Sequence, residues 1–127
     1  MQHQVEYIDP LIEDGYVVIT DRYIASTYAY GLAHGVTKKQ YKRLSKCYDF
    51  READLNIWLA INAEEALRRT TKPQTYERMG LQFMKNVSGN YGDYFSKVDH
   101  QVVDVDRGYD IDYVHKQIVG LVKRAFY

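Results

Sequence analysis

Hydrophobic positions along this chain change their period several times, and each change marks an element. Val5, Ile8, Leu11 and Ile12 recur at helical spacing, and Pro10 predicts a bend or two short helical pieces before Asp14-Gly15 closes the segment. Residues 16–20, Tyr-Val-Val-Ile-Thr, then run apolar and β-branched between Gly15 and the charged pair Asp21-Arg22. That pattern predicts a strand buried on both faces. Residues 23–34 suit a helix stopped by Gly35. Thr37 predicts the cap of a further helix, whose basic face, Lys38, Lys39, Lys42, Arg43 and Lys46, is read as solvated.

The second half repeats the alternation. Residues 55–61 read as another buried strand, followed by Asn62 as the cap of a helix with Glu64 and Glu65 in its first turn, which ends at the Thr70-Thr71-Lys72-Pro73 break. Tyr76, Met79, Phe83, Val87, Tyr91 and Tyr94 keep helical spacing over several turns despite Gly80, Gly89 and Gly92. Residues 101–105 form a third short strand, and Ile111, Val114, Ile118, Leu121, Val122 and Ala125 are the stripe of a last helix. Strands alternating with helices imply a parallel sheet, because parallel neighbours need a crossover connection. The class is α/β. No repeat, linker or low-complexity stretch divides the chain, so one domain, 1–127, is expected.

Composition narrows the function classes. Lys plus Arg and Asp plus Glu both total 17, which gives a formal net charge of zero, so nucleic acid and acidic membranes are not expected partners. Runs such as Ile57-Trp58-Leu59-Ala60-Ile61 are far shorter than the roughly 20 residues of a membrane helix, and the amino terminus lacks a signal-peptide layout. A cytoplasmic protein is expected. Cys47 stands alone, away from residues at metal-ligand spacing, and is read as structural or incidental. The 13 tyrosines should mostly be half-buried, ring inward and hydroxyl outward.

In open α/β sheets ligands collect at the carboxyl ends of strands, here after Thr20, Ile61 and Val105. After Thr20 come Asp21, Arg22, Tyr23, Ser26, Thr27, Tyr28 and Tyr30: a carboxylate, a guanidinium, two hydroxyls and several phenols around one helix start. Arg22 could bind a phosphate bidentately, helped by the free N–H groups of the helix terminus. By residue type alone, Asp21 and Arg22 equally suit a surface pair or a cap.

The stretch Asp21-Arg22-Tyr23, then Ser26, then Ala29-Tyr30, resembles the "DRY…S…AY" signature of thymidylate kinases. Residues 8–15, Ile-Asp-Pro-Leu-Ile-Glu-Asp-Gly, resemble that family's lead-in. Residues 53–64 resemble its "PDL…L.V..E" strand and helix start, and Tyr76-Glu77-Arg78 continues the match. The resemblance implies an incomplete P-loop NTPase-like three-layer sandwich and a dTMP kinase that transfers the γ-phosphoryl group of ATP, with Mg2+, in deoxynucleotide biosynthesis. It also implies a homodimer.

Residue by residue, the resemblance places Asp21 and Arg22 at the acceptor phosphate, with Asp21 towards the hydrated Mg2+ and Arg22 neutralising charge during transfer. It places Ser26 and Thr27 by the pyrimidine, where many relatives have asparagine at the Thr27 position, and Tyr30 against the sugar. Tyr76 and Glu77 would pack near the acceptor nucleotide and metal. Arg68, Arg69 and Lys72 are candidates for the ATP lid, with Arg69 the choice for the donor side. Asp106-Arg107-Gly108 matches a loop beside the adenine and is also an ordinary strand-to-helix turn.

A P-loop requires Gly-x-x-x-x-Gly-Lys-Ser/Thr, because its backbone N–H groups and lysine hold the donor phosphates. No such run occurs in the 127 residues. The expectation is therefore the carboxy-terminal part of such a kinase, inactive alone. The alternative is a truncated, non-catalytic relative acting as a nucleotide-binding or dimerisation module.

Overall fold

The computed structural model describes residues 4–70, 79–106, 108 and 110–127. A π-helical turn, Gln4–Ile8, leads into helix α1, Asp9–Glu13, with Pro10 in its first turn, where the missing N–H removes no helix bond. The two short pieces match the expectation drawn from Pro10. Then follow α2, Ile24–Ala33, and α3, Lys38–Lys46. Gly35, at φ +97°, ends the first of these in the left-handed region that a side chain disfavours. Thr37 and Gln40 form a reciprocal capping box at the start of α3.

The second half comprises β1, Ile57–Ala60; α4, Ala63–Arg69; α5, Leu81–Phe95; β2, Gln101–Asp104; and α6, Ile111–Phe126. The strands pair in parallel, with Ile57 opposite Gln101 and Ala60 opposite Asp104. Gln101 N–H donates to the Asn56 carbonyl at 2.8 Å, and Val105 N–H to the Ala60 carbonyl at 3.0 Å. Between the strands lie α4 and α5, as parallel pairing demands. The side chain of Asn62 caps α4 by accepting from the N–H of Glu65 at 2.8 Å.

Two predicted elements differ: the buried strand expected over 55–61 is the shorter β1, none of whose residues is fully buried and whose Leu59 is 44% exposed, and the first expected strand is absent. Residues 16–20 are not a strand, and they are not buried: Tyr16 is 64% exposed and Ile19 85%. Sheet structure depends on a hydrogen-bonded neighbour, not on β-branched composition alone. The sheet of described residues contains only β1 and β2. The stretch 71–78, with the expected start of the long helix, lies outside the described residues; α5 begins after Gly80, at φ +90°, and runs through Gly89 and Gly92.

The core lies between α2 and α5. Ala29, Phe83 and Val87 are buried, with Tyr30, Ala33, Met84 and Tyr91 packed around them. Full burial of a Val or Phe side chain stabilises by about 1.5–3 kcal/mol, so this contact fixes the helix pair. Asn90 Nδ2 donates to the Ala29 carbonyl at 3.0 Å, which fixes the register of the two helices. Tyr28 donates to the Asp93 carboxylate, which also receives Lys38 at 2.9 Å and Lys97 at 3.2 Å, so one residue of α5 holds α2 and α3. Burial, followed by the bond to Asp93, pushes the Tyr28 hydroxyl up to about 12. A second aromatic cluster joins the sheet to α5: Trp58 stacks on Phe95 at 5.4 Å, and His100 lies 4.9 Å from Phe95.

The tyrosines divide more sharply than composition suggests. Tyr28 is buried, whereas Tyr7, Tyr16 and Tyr127 are mostly exposed.

Candidate functional site

The chain bends at Asp21 and Arg22 and enters α2 at Ile24. Arg22 has φ +57°, the left-handed region that costs a side-chain-bearing residue roughly 1–2 kcal/mol. Tyr23, at the helix's N-cap position, gives no side-chain cap. The first N–H groups of α2 therefore keep their donor capacity at this turn. The Arg22 guanidinium lies over the Tyr30 ring, 5.4 Å from its centroid.

This turn forms one wall of a cleft of about 770 Å3. Asp21, Arg22, Tyr23, Ser26 and Tyr30 line that wall; Ile57, Trp58, Leu59 and Ile61 come from β1 and its end; Met84, Val87, Tyr91 and Phe95 come from α5. An apolar and aromatic floor thus lies between the polar groups of the α2 turn and a second polar rim that includes Glu52, Asp54, Lys97 and Asp99. A guanidinium beside an aromatic floor suits a ligand that has an anionic part and a flat part.

Of the residues expected on the acceptor side, the structure brings Asp21, Arg22, Ser26 and Tyr30 into one lining. Thr27 does not belong to it. Its side chain is exposed and makes a long 3.5 Å bond to the Tyr23 carbonyl one turn earlier, because consecutive helix positions point in different directions. Tyr76, Glu77, Lys72 and Arg107 lie outside the described residues.

Ser26 Oγ shares a short 2.5 Å hydrogen bond with Tyr91 Oη across the α2–α5 contact. Sequence patterning placed Tyr91 in the apolar stripe and missed its polar role. The stripe orients the ring but carries no sign of where the hydroxyl goes.

Arg68 and Arg69 end α4 beside a second, shallower cleft that also involves Gly108, Asp110, Ile111 and Asp112. Both arginines are held by Glu65 within the same helix, each with a 2.6 Å contact. These bonds, Arg68 first and Arg69 second, bring the Glu65 carboxyl down to about 2. Lys85 Nζ reaches Glu64 at 2.8 Å and ties α4 to α5. Asp106 is committed to structure: its carboxylate accepts from Asn62 N at 3.1 Å and Asn62 Nδ2 at 2.7 Å, clasping the ends of both strands.

A family model described as thymidylate kinase matches residues 1–118. The chain belongs to the thymidylate kinase family. It is 31% identical over 123 residues to the thymidylate kinase of Thermoanaerobacter sp. (strain X514), covering 94% of this chain and 61% of that protein. With the thymidylate kinase of Clostridium novyi (strain NT) it shares 30% over 129 residues, covering 96% of this chain and 63% of that protein. With that of Francisella tularensis subsp. holarctica (strain OSU18) it shares 30% over 131 residues, covering 99% and 62%. The chain thus spans about 61% of the length of such relatives. The matched residues, 1–118, include every residue that lines the two clefts and every expected site residue. Among the described residues, no helix is long and apolar enough to cross a membrane.

Proposed function

We propose that this chain forms the acceptor-nucleotide part of a cytoplasmic dTMP kinase with a P-loop NTPase-like three-layer domain, which transfers the γ-phosphoryl group of ATP to thymidine monophosphate. The observation that carries the reading is Arg22: a cation in left-handed backbone at an uncapped helix start, facing a cleft with an aromatic floor. Strain at one non-glycine residue persists where surrounding structure enforces it, and such residues cluster at ligand sites.

On this reading the monophosphate sits at Arg22 and the open N–H groups of α2, and the base and sugar lie along Tyr30, Ser26 and the apolar wall. Among the described residues, no group of three or more His, Cys, Asp or Glu could hold a metal ion. Mg2+ would fit as an ion brought largely by nucleotide phosphates, with Asp21, among the described residues, reaching it through water. Bound there, it would neutralise phosphate charge. Arg22 binds and orients the acceptor oxygen. Arg68 and Arg69 serve the donor side, released from Glu65 when a phosphate competes for them. No Gly-x-x-x-x-Gly-Lys-Ser/Thr run occurs in the sequence, so on this reading the donor phosphates are held by residues outside it. A homodimer is part of the same reading.

A second reading, a nucleotide-binding or dimerisation module without turnover, is favoured by the exposed apolar stretch Tyr16, Val17 and Ile19. Calorimetric titration with dTMP and with thymidine tests the shared part. Tighter binding of dTMP, with the preference abolished in Arg22→Ala, is expected. Equal affinities for the two would sink the site assignment. Phosphoryl transfer from ATP separates the two readings.

A further inference from the structure

Gln4 is 8% exposed and belongs to none of the expected site residues. Its side chain nevertheless makes four hydrogen bonds, three of them to residues 19 or more positions away. Gln4 Oε1 accepts from the Tyr23 hydroxyl at 2.7 Å and from the Arg51 backbone N–H at 3.1 Å. Gln4 Nε2 donates to the Asp49 carbonyl at 3.2 Å and, more weakly, to Asp9 Oδ2 at 3.4 Å. Arg51 Nε closes the ring by donating to Asp9 Oδ1 at 2.7 Å. An amide is the side chain that can do this, since it presents an acceptor and two donors at once.

Tyr23 is the residue through which this network reaches the cleft. It follows Arg22 directly, and its own backbone, φ −126° and ψ −132°, departs from the helix it precedes. Arg22 thus holds a backbone angle that local preference opposes, directly before a helix start without a side-chain cap. What fixes Tyr23 is its ring, which lies edge-on to Phe50 at 6.4 Å, and its hydroxyl on Gln4. Burial is the first cause of the raised pKa of that hydroxyl, so it stays a neutral donor across the physiological range.

We infer that Gln4 is a positioning residue: by holding the Tyr23 hydroxyl it keeps Arg22 in the left-handed turn that aims its guanidinium at a phosphate monoester in the cleft. The inference rests on reading that cleft as the acceptor-phosphate site. It adds the distant residue that sets the site's geometry.

The test uses the ratio of dTMP to thymidine affinity, because that ratio isolates the phosphate contact and a uniform loss of stability leaves it unchanged. Gln4→Leu and Tyr23→Phe are compared with the parent chain and with the double variant, and melting temperatures are recorded alongside. Tyr23→Phe leaves the bonds of Gln4 to Arg51 and Asp49 in place, so the test survives if Gln4→Leu does not fold. Each single variant is expected to lower the ratio about threefold to tenfold, the worth of one hydrogen bond, and the double variant no further than either alone. An unchanged ratio in Tyr23→Phe, or losses that multiply in the double variant, would overturn the inference while Arg22→Ala still abolishes the phosphate preference. Should Arg22→Ala keep that preference, the site reading itself fails and the inference falls with it.

Discussion

The guanidinium of Arg22 sits 5.4 Å from the centroid of the Tyr30 ring, joining the turn that opens α2 to the second turn of the same helix. A cation over an aromatic face at a solvent-accessible position contributes about 0.5–1 kcal/mol, enough to bias the side chain towards the cleft without neutralising its charge. The pair therefore presents a cation and a ring face to the same space.

The backbone of Arg22 gives a prediction that separates strain from function. Arg22→Gly and Arg22→Ala both remove the guanidinium, and both should lose the preference for dTMP over thymidine. Only glycine accepts φ +57° without a steric cost, so Arg22→Gly should be more stable than Arg22→Ala by about 1 kcal/mol. Urea unfolding of the two proteins checks this. Equal midpoints would mean that the turn relaxes once the arginine is gone.

The exposed stretch 16–20 gives a second. Ile19→Thr should change stability by no more than about 0.5 kcal/mol, since Ile19 is 85% exposed. Phe83→Ala, in the α2–α5 core, should cost about 3–5 kcal/mol. Chemical denaturation of both variants decides it; a large cost at Ile19 would place that side chain in a core.

The Glu65 clasp gives a pH signature. Its carboxyl ionises with a pKa of about 2 in the folded chain against an ordinary 4.5, because Arg68 and Arg69 bond the charged form. A lowered folded pKa contributes stability that is fully present above the unfolded value and is lost as pH falls through the folded one. Melting temperatures of the parent chain and Glu65→Gln should therefore differ most above pH 4.5 and converge towards pH 2. On the proposed kinase function, freeing both arginines should change the KM for ATP more than that for dTMP. The opposite order would remove Arg68 and Arg69 from the donor side.

Much of the architecture was legible in the sequence because it depends on local chemistry. Thr37 with Gln40, Asn62 with Glu65, and Gly35 each satisfied a helix end by a short-range bond or a permitted backbone angle, and all three act where their types and positions predicted. The stripe Phe83, Val87 and Tyr91 likewise faced inward because helical periodicity alone puts it on one side. The grouping of Asp21, Arg22, Ser26 and Tyr30 was legible for a similar reason, since they lie within three turns of one helix start.

What only the tertiary structure decided depends on partners remote in the chain. The β-branched residues 16–20 read as a buried strand, yet whether they join a sheet is settled by a neighbour's hydrogen bonds, and the described sheet pairs β1 with β2. The destinations of polar atoms were equally hidden: Tyr91 to Ser26, Asp106 to Asn62, and Gln4 to Tyr23 and Arg51. Hydrophobic periodicity fixes which way a side chain points, because burial is non-directional and sums along an element. A hydrogen bond needs one particular atom at one distance and angle, and only the folded chain brings residues 65, 44 or 19 positions apart to that distance.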